Sequence, residues 1–476
     1  MRRWIALSLG ICVASATARA EDLLLVYERA LANDPQIREA DANRLATREA
    51  KPQALSALLP QINGIAVAGK SDSSGSQAVF SGGLFNVVPF SSKPDSRHYG
   101  VTLQQSVFSW ANWMSLKAAD SQVAQAEADY QAAQQQLISR VATQYFNVLA
   151  AQDNVDAQAS ALSSISRQLE QAEKRFEVGL IAITDVQEAK AARDSATAAV
   201  IDAKRQLASA EEFLREITGE GVTSLAKPAE TMPLKSPDPI EEQKWVDVSM
   251  EQNATLLSSR LAADIARDNV RVAFGGHLPT LSLIGSKTKD KSNGPSTTFA
   301  TTSHIDTTSD GTQIQLQLSV PLFAGGGTQS RFRQSEYLWQ AARERFSRVS
   351  RQTERQARDA YLGVLSEISR VQALRQGLES SRTALKATEA GYEVGTRTTV
   401  DVLDARKNLV QAETNYARSR YDYIINVINL KLAAGSLNRR SVEEINGWLE
   451  KTPASPPSAT PPATTPSATP ATPKPQ

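Results

Sequence analysis

Asp401 and Asp404 stand three residues apart where a helical pattern begins, so both carboxylates share one helix face. Two kinds of chemistry fit that arrangement. Acids in a first turn complement the helix dipole. If copies of the chain surround an axis, each acid instead becomes a ring of carboxylates. Such a ring attracts cations, and like-charge crowding raises some of its pKa values. Asp185 and Glu188 hold the corresponding places earlier in the chain, which favours the dipole reading taken alone. No catalytic constellation competes with these acids. His98, His277 and His304 lack metal-ligand spacing. Gly325, Gly326 and Gly327 are not followed by Gly-Lys-Ser/Thr, so they read as a flexible strand-to-helix junction rather than a phosphate loop. With no nucleophile–base pair, metal site or cofactor motif, the chain is not expected to be an enzyme.

The elements that position the acids occur twice. FEVGLIAITDVQEA at 176–189 returns as YEVGTRTTVDVLDA at 392–405, an offset of 216 residues. At the same offset Tyr145 meets Tyr361, Leu149 meets Leu365, Leu214 meets Leu430 and Gly219 meets Gly435. So long a period means a duplicated domain-sized unit. The expected organisation is a signal peptide over 1–20, a first repeat over 21–219, an irregular linker over 220–240, a second repeat over 241–445 and a disordered tail over 446–476. Arg2 and Arg3, the apolar stretch to Val13 and Ala18-Arg19-Ala20 form the secretory signal. Cys12, the only cysteine, lies inside it, which excludes disulfides and zinc–thiolate sites from the mature chain. Without the signal's arginines, 49 basic residues face 51 acidic ones, so nothing argues for nucleic-acid binding. The Pro/Thr/Ala/Ser-rich tail is too poor in apolar side chains to bury a core.

From Trp110 to Phe176 there is no proline or glycine, and Leu116, Ala119, Val123, Ala126, Tyr130, Ala133 and Leu137 follow a 3,4 spacing. This predicts a helix about 100 Å long that packs in coiled-coil fashion. A twin is predicted from about Thr328 to Tyr392, with return helices over about 184–218 and 241–273. Strands are predicted near 61–70, 99–107, 280–287 and 314–320. The last is the cleanest: Ile314, Leu316, Leu318 and Val320 alternate with glutamines and a serine. Each strand pair is expected to be joined by a long Ser/Gly/Thr-rich loop, 71–98 and 288–311. No segment approaches the roughly 20 apolar residues of a membrane-spanning helix. Ten-residue alternating segments suit either an outer-membrane barrel or half-buried soluble strands. Four strands cannot close a barrel, and an open sheet leaves two edges. Membrane insertion therefore requires oligomerisation, to eight strands in a dimer or twelve in a trimer.

GYEVGTRTTVDVLDA followed by RYDYIINVINLKLAAGSL resembles the TolC family of outer-membrane ducts of Gram-negative export systems. FEVGLIAITDVQEA with LREITG is the first-copy counterpart, and VPLFAGGG at 320–327 and ALANDPQI at 30–37 also fit. The resemblance covers nearly all of 22–445. It implies a mainly α fold with β. In a homotrimer, a twelve-stranded transmembrane β-barrel sits in outer-membrane lipid and a long α-helical barrel extends through the periplasm. It implies partners that supply energy: a periplasmic adaptor and an inner-membrane exporter, either ABC-type or proton-driven. Acids at Asp401 and Asp404 then line a periplasmic aperture. Tyr392, Arg397, Thr184, Asp185, Gln168, Gln171, Glu389 and Arg420 match positions that latch neighbouring coiled coils. Val178, Gly179, Leu180, Val394, Gly395 and Thr396 form hairpin tips that meet the adaptor. The same latch residues otherwise read as solvated helix charges, and the tip glycines as ordinary helix stops. The reading from another class is a soluble periplasmic coiled-coil adaptor or scaffold.

Overall fold

In the computed structural model, residues 20–222, 224–298 and 301–450 are described. The signal peptide predicted over 1–20, apart from Ala20, and the tail from 451 onward lie outside them. Two helices dominate the molecule. α4 (Trp110–Glu177) starts behind Ser109, whose hydroxyl accepts from Asn112 N at 3.3 Å, and α8 (Gly327–Glu393) is its counterpart. At 68 and 67 residues, each is about 100 Å long. Their return helices, α5 (Ile183–Thr218) and α9 (Thr399–Ala433), pack against them as two antiparallel hairpins. Both returns stop at a left-handed glycine, Gly219 at φ 76° and Gly435 at φ 72°. Gly435 is doubly constrained, because a β-carbon there would lie 2.4 Å from the Gln252 carbonyl.

A second set of helices packs on the other half of α4 and α8. In the first copy these are α1 (Leu23–Asn33), α2 (Pro35–Arg48) and α3 (Ala50–Ser56). In the second they are α6 (Glu242–Gln252) and α7 (Ala254–Phe274). The single helix expected over 241–273 is thus broken at Asn253. Asn253 caps α7 by accepting from Leu256 N at 3.0 Å, and its amide donates to the last turn of α9 at Ala433 O, 3.0 Å. Asn33 does the same in the first copy, donating to Thr218 O at 2.9 Å beside a break that Asp34 caps. Asparagine competes with the helix for its own backbone, so it is favoured at such breaks.

Six strands form one antiparallel sheet, not the expected four. β1 (Gln61–Lys70), β4 (Asp95–Phe108), β5 (Thr280–Thr298) and β6 (Thr301–Ser319) lie in the order β1-β4-β5-β6. The Ser/Gly/Thr-rich segments read as loops are strands. β5 and β6 pair throughout 280–298 and 301–319, and 71–98 holds a further hairpin, β2 (Ser73–Ser81) and β3 (Leu84–Ser92). β3 continues along β5 through Phe90–Ser92. Hydroxyl and glycine residues carry no inside–outside alternation, so pattern alone does not reveal these strands. Over β4, β5 and β6 the sheet has one apolar face, with Tyr99, Val101, Leu103, Leu281, Leu283, Ile314, Leu316 and Leu318, and one polar face, with Thr102, Gln104, Ser282, Ser286, Gln313, Gln315 and Gln317. β1 and β6 each leave one edge unpaired within the chain.

The main core lies where the two helical halves meet. Leu23, Val26, Tyr145, Phe146, Leu214, Tyr361, Tyr423 and Ile424 are buried there together. The repeat-related tyrosines tie down the irregular segment between the copies: Tyr145 donates to Ala226 O at 2.8 Å, and Tyr361 donates to Ile240 O. α10 (Arg439–Asn446) and the residues after it close this core. Trp448 stacks near Tyr423, Leu449 is buried, and Glu450 N donates to Lys227 O at 2.8 Å. The tail boundary expected at 446 is therefore too early; the apolar pair Trp448 and Leu449 keeps the chain packed through 450.

Candidate functional site

The predicted site residues gather at the far ends of the two helical hairpins. Both tips turn alike. Gly179 at φ 75° and Gly395 at φ 80° follow the last helical turns, where a β-carbon would be strained. Leu180 N donates to Arg175 O at 2.9 Å, and Thr396 N donates to Gly391 O at 2.8 Å, so both turns close with the same six-residue loop bond. Apolar side chains crown both: Val178, Leu180 and Val394 are 69%, 72% and 76% exposed.

After the turn the copies differ. α5 begins behind Ala182, which has no side-chain oxygen to cap it. α9 begins behind Thr398, whose hydroxyl accepts from Asp401 N at 3.2 Å, while the Asp401 carboxylate accepts from Thr398 N at 2.8 Å and Thr398 Oγ1 at 2.9 Å. This is a reciprocal capping box. The backbone and hydroxyl bonds from Thr398 hold the Asp401 carboxyl below the usual carboxylate range, and the Arg397 guanidinium acts in the same direction. Within one chain Asp401 is thus surrounded by donors; the crowding that raises values in a ring of acids needs neighbouring copies. Asp404 is exposed one turn further along.

Four predicted latch residues do come together. Gln168, Gln171, Glu389 and Tyr392 line a groove of 580 Å³ between α4 and the second hairpin, with Arg175, Val402 and Arg406. Glu389 is ion-paired to Arg406, the Arg175 guanidinium lies 5.2 Å from the centre of the Tyr392 ring, and Thr399 Oγ1 donates to Tyr392 Oη at 3.5 Å. The Gln168 side-chain amide is enclosed with neither its oxygen nor its nitrogen bonded. Arg397, Thr184 and Asp185 are at the tips, but among the described residues their side chains form no hydrogen bond or ion pair within the chain. Arg420 is elsewhere. It lies nineteen residues beyond Asp401 along α9, about 28 Å away. There it donates to Pro228 O at 3.0 Å and Ala229 O at 2.7 Å, holding the linker. Within this chain it fastens the linker, apart from the other predicted latch residues. Sequence reading missed Arg406, Arg175 and Thr398. Only Thr398 carried a signal, the Thr-x-x-Asp box ahead of an apolar helix.

A family model described as outer membrane efflux protein matches the chain over residues 26–220 and again over 245–436. The outer membrane protein TolC of Vibrio cholerae is 36% identical over 437 residues, covering 92% of this chain and 95% of that one. The alkaline protease secretion protein AprF of Pseudomonas aeruginosa is 28% identical, covering 90% and 87%. Among solved structures, the Campylobacter jejuni CmeC outer membrane channel superposes with a TM-score of 0.69 at 18% identity, covering 90% of both chains, a likeness of fold.

Proposed function

The chain belongs to the outer membrane efflux protein family, whose members are channels of the Gram-negative outer membrane and not enzymes, and from that premise we propose a trimeric export duct with a gate at the hairpin tips. The observation that carries the trimer is the sheet. Its four long strands alternate in direction, so β6 of one copy and β1 of the next meet antiparallel, and neither edge is paired within the chain. Three copies give twelve strands with the polar face inward, wide enough for a channel. The soluble-scaffold reading leaves both edges and the apolar face without a partner.

Under the three-fold axis, Asp401 and Asp404 of the second hairpin form two acid rings around the aperture. Arg397 and Asp185 carry opposite charges, stand at the tips of different hairpins and, among the described residues, form no ion pair or side-chain hydrogen bond within the chain, so each suits a neighbouring copy's tip. With Tyr392 and Thr184 they form the reversible latch; Gln168, Gln171 and Glu389 support it from the groove. The exposed Val178, Leu180 and Val394, with Gly179, Gly395 and Thr396, form the surface that docks a periplasmic adaptor. That adaptor joins the duct to an inner-membrane ABC or proton-driven exporter. AprF is named for alkaline protease secretion, and efflux or secretion cargo is the expected traffic here. Planar-bilayer recording of the purified oligomer tests the gate. Small, cation-selective conductance is expected, with selectivity and divalent-cation block lost in Asp401→Ala/Asp404→Ala; unchanged selectivity removes the acids from the gate.

A further inference from the structure

The sequence Lys287-Thr-Lys289-Asp-Lys291 lies in β5 with alternate residues on opposite faces. Register places all three lysines on the apolar face. Lys287 is opposite Val101, Lys289 opposite Tyr99 and Lys291 opposite Arg97. Below them, towards the helices, the same face carries Leu281, Leu283, Leu103, Ile314, Leu316 and Leu318. Ten residues separate Leu281 from Lys291, about 33 Å along the strand and about 25 Å of height at a barrel tilt of roughly 40°. That is the height of the apolar band of an outer-membrane barrel, so Tyr99 sits at its outer aromatic girdle and Lys291 and Arg97 just above. Trp110, Trp113 and Phe323 mark the opposite, helix-side border and are exposed.

Charge on this rim is not balanced within the chain. Lys289 is 3.6 Å from Asp310, and Lys70 is 3.3 Å from Asp95. Among the described residues, Lys287, Lys291 and Arg97 form no ion pair, and the one other acid the register places on this face, Asp306, is opposite Asn293. The other face differs: Asp290 turns to the polar face and meets His98 at 2.6 Å. Arg97 and Lys291 therefore stand outside the barrel at the level where lipid headgroups begin, and Lys287 lies four residues below them on the same face. Long lysine and arginine stems reach along apolar surface and lift their charges to that level.

We propose that Arg97, Lys287 and Lys291 bind the phosphate groups of a phosphorylated outer-leaflet lipid, repeated once per protomer around the duct. The proposal rests on the reading of this sheet as the membrane barrel. Native mass spectrometry of the full-length oligomer, titrated in detergent with bisphosphorylated lipid A, tests it. Retained lipid is expected, with binding on the order of a hundredfold weaker for dephosphorylated lipid A and for Arg97→Gln/Lys287→Gln/Lys291→Gln, since each cation near a charged surface contributes about fivefold. Lys70→Gln, whose cation is already paired, should bind as the parent does. Equal retention of the dephosphorylated lipid, full retention by the triple variant, or displacement of the lipid by millimolar inorganic phosphate overturns the proposal. If the triple variant does not assemble, the two lipids compared on the parent protein still decide it. Failure of the barrel reading itself shows separately, as protein extracted from membranes without detergent.

Discussion

The two copies of the repeat agree around the main core and part at the tips. Tyr145 and Tyr361, 216 residues apart, are both buried and both donate to a carbonyl of the segment that joins the copies. Asn33 and Asn253 each bond the last turn of a return helix. At the far ends, Ala182 stands where the second copy has Thr398, and Phe176 where it has Tyr392. The second tip is capped and polar; the first is uncapped, with a free carboxylate at Asp185. The parts that agree lie where the copies meet, since α4 packs against α7 and α9 of the second copy as well as its own α5. A tip facing its own surroundings has no such constraint.

The largest effect should come from the part that agrees. Tyr145→Ala and Tyr361→Ala each empty a buried aromatic site, and losses of about 3–5 kcal/mol are expected by chemical denaturation. Near-equal losses support equivalence of the copies; a loss confined to one breaks it. Next come the tips. Tyr392→Phe with Arg397→Ser should raise single-channel conductance, as should Thr184→Ala with Asp185→Ala, since charge-assisted bonds contribute about 1.5–3 kcal/mol each and 1.4 kcal/mol is a tenfold change in population. An effect from the second tip alone means that the first is not its partner.

Smaller effects sharpen the contrast in capping. Thr398→Ala should cost about 1 kcal/mol of local stability, and Ala182→Thr should add up to that much at the first tip by completing a Thr-x-x-Asp box with Asp185. Amide exchange at residues 183–186 and 399–402 reads both. The pH dependence is the least of these. The folded chain holds Asp401 below its unfolded value. Its stabilisation is therefore present above the ordinary carboxylate range and is lost as pH falls through the lowered folded value. Acidification should lower the protection factors of amides 399–402, each referred to the intrinsic exchange rate at that pH.

Much of this was legible because helix signals are local. Uninterrupted 3,4 spacing from Trp110, the stop at Val178-Gly179 and the start before Asp185 need no distant residue, and α4 and α5 fall within a residue or two of the predicted bounds. The segments 71–98 and 288–311 were illegible for the opposite reason. A strand of serines, threonines and glycines exists because a partner strand accepts its backbone bonds, as β3 does for β2 and β6 for β5, and no apolar alternation marks it in the sequence. The bonds from Arg420 to the linker were illegible because family position says which residue matches, not which carbonyl lies beside it.

The sequence by itself determined the duplication, the two long hairpins, the left-handed glycines at their turns and the family. The first three follow from repeat spacing and helix composition; the family follows from the likeness of the hairpin motifs to those of its members. Only the tertiary structure decided that Asp401 is held by Thr398, that Glu389 pairs with Arg406, that Arg420 serves the linker and that three cations share one sheet face. Each of those is a meeting set by strand register or helix packing. A register shift of one residue would turn Lys287 and Lys291 to the other face with the composition unchanged.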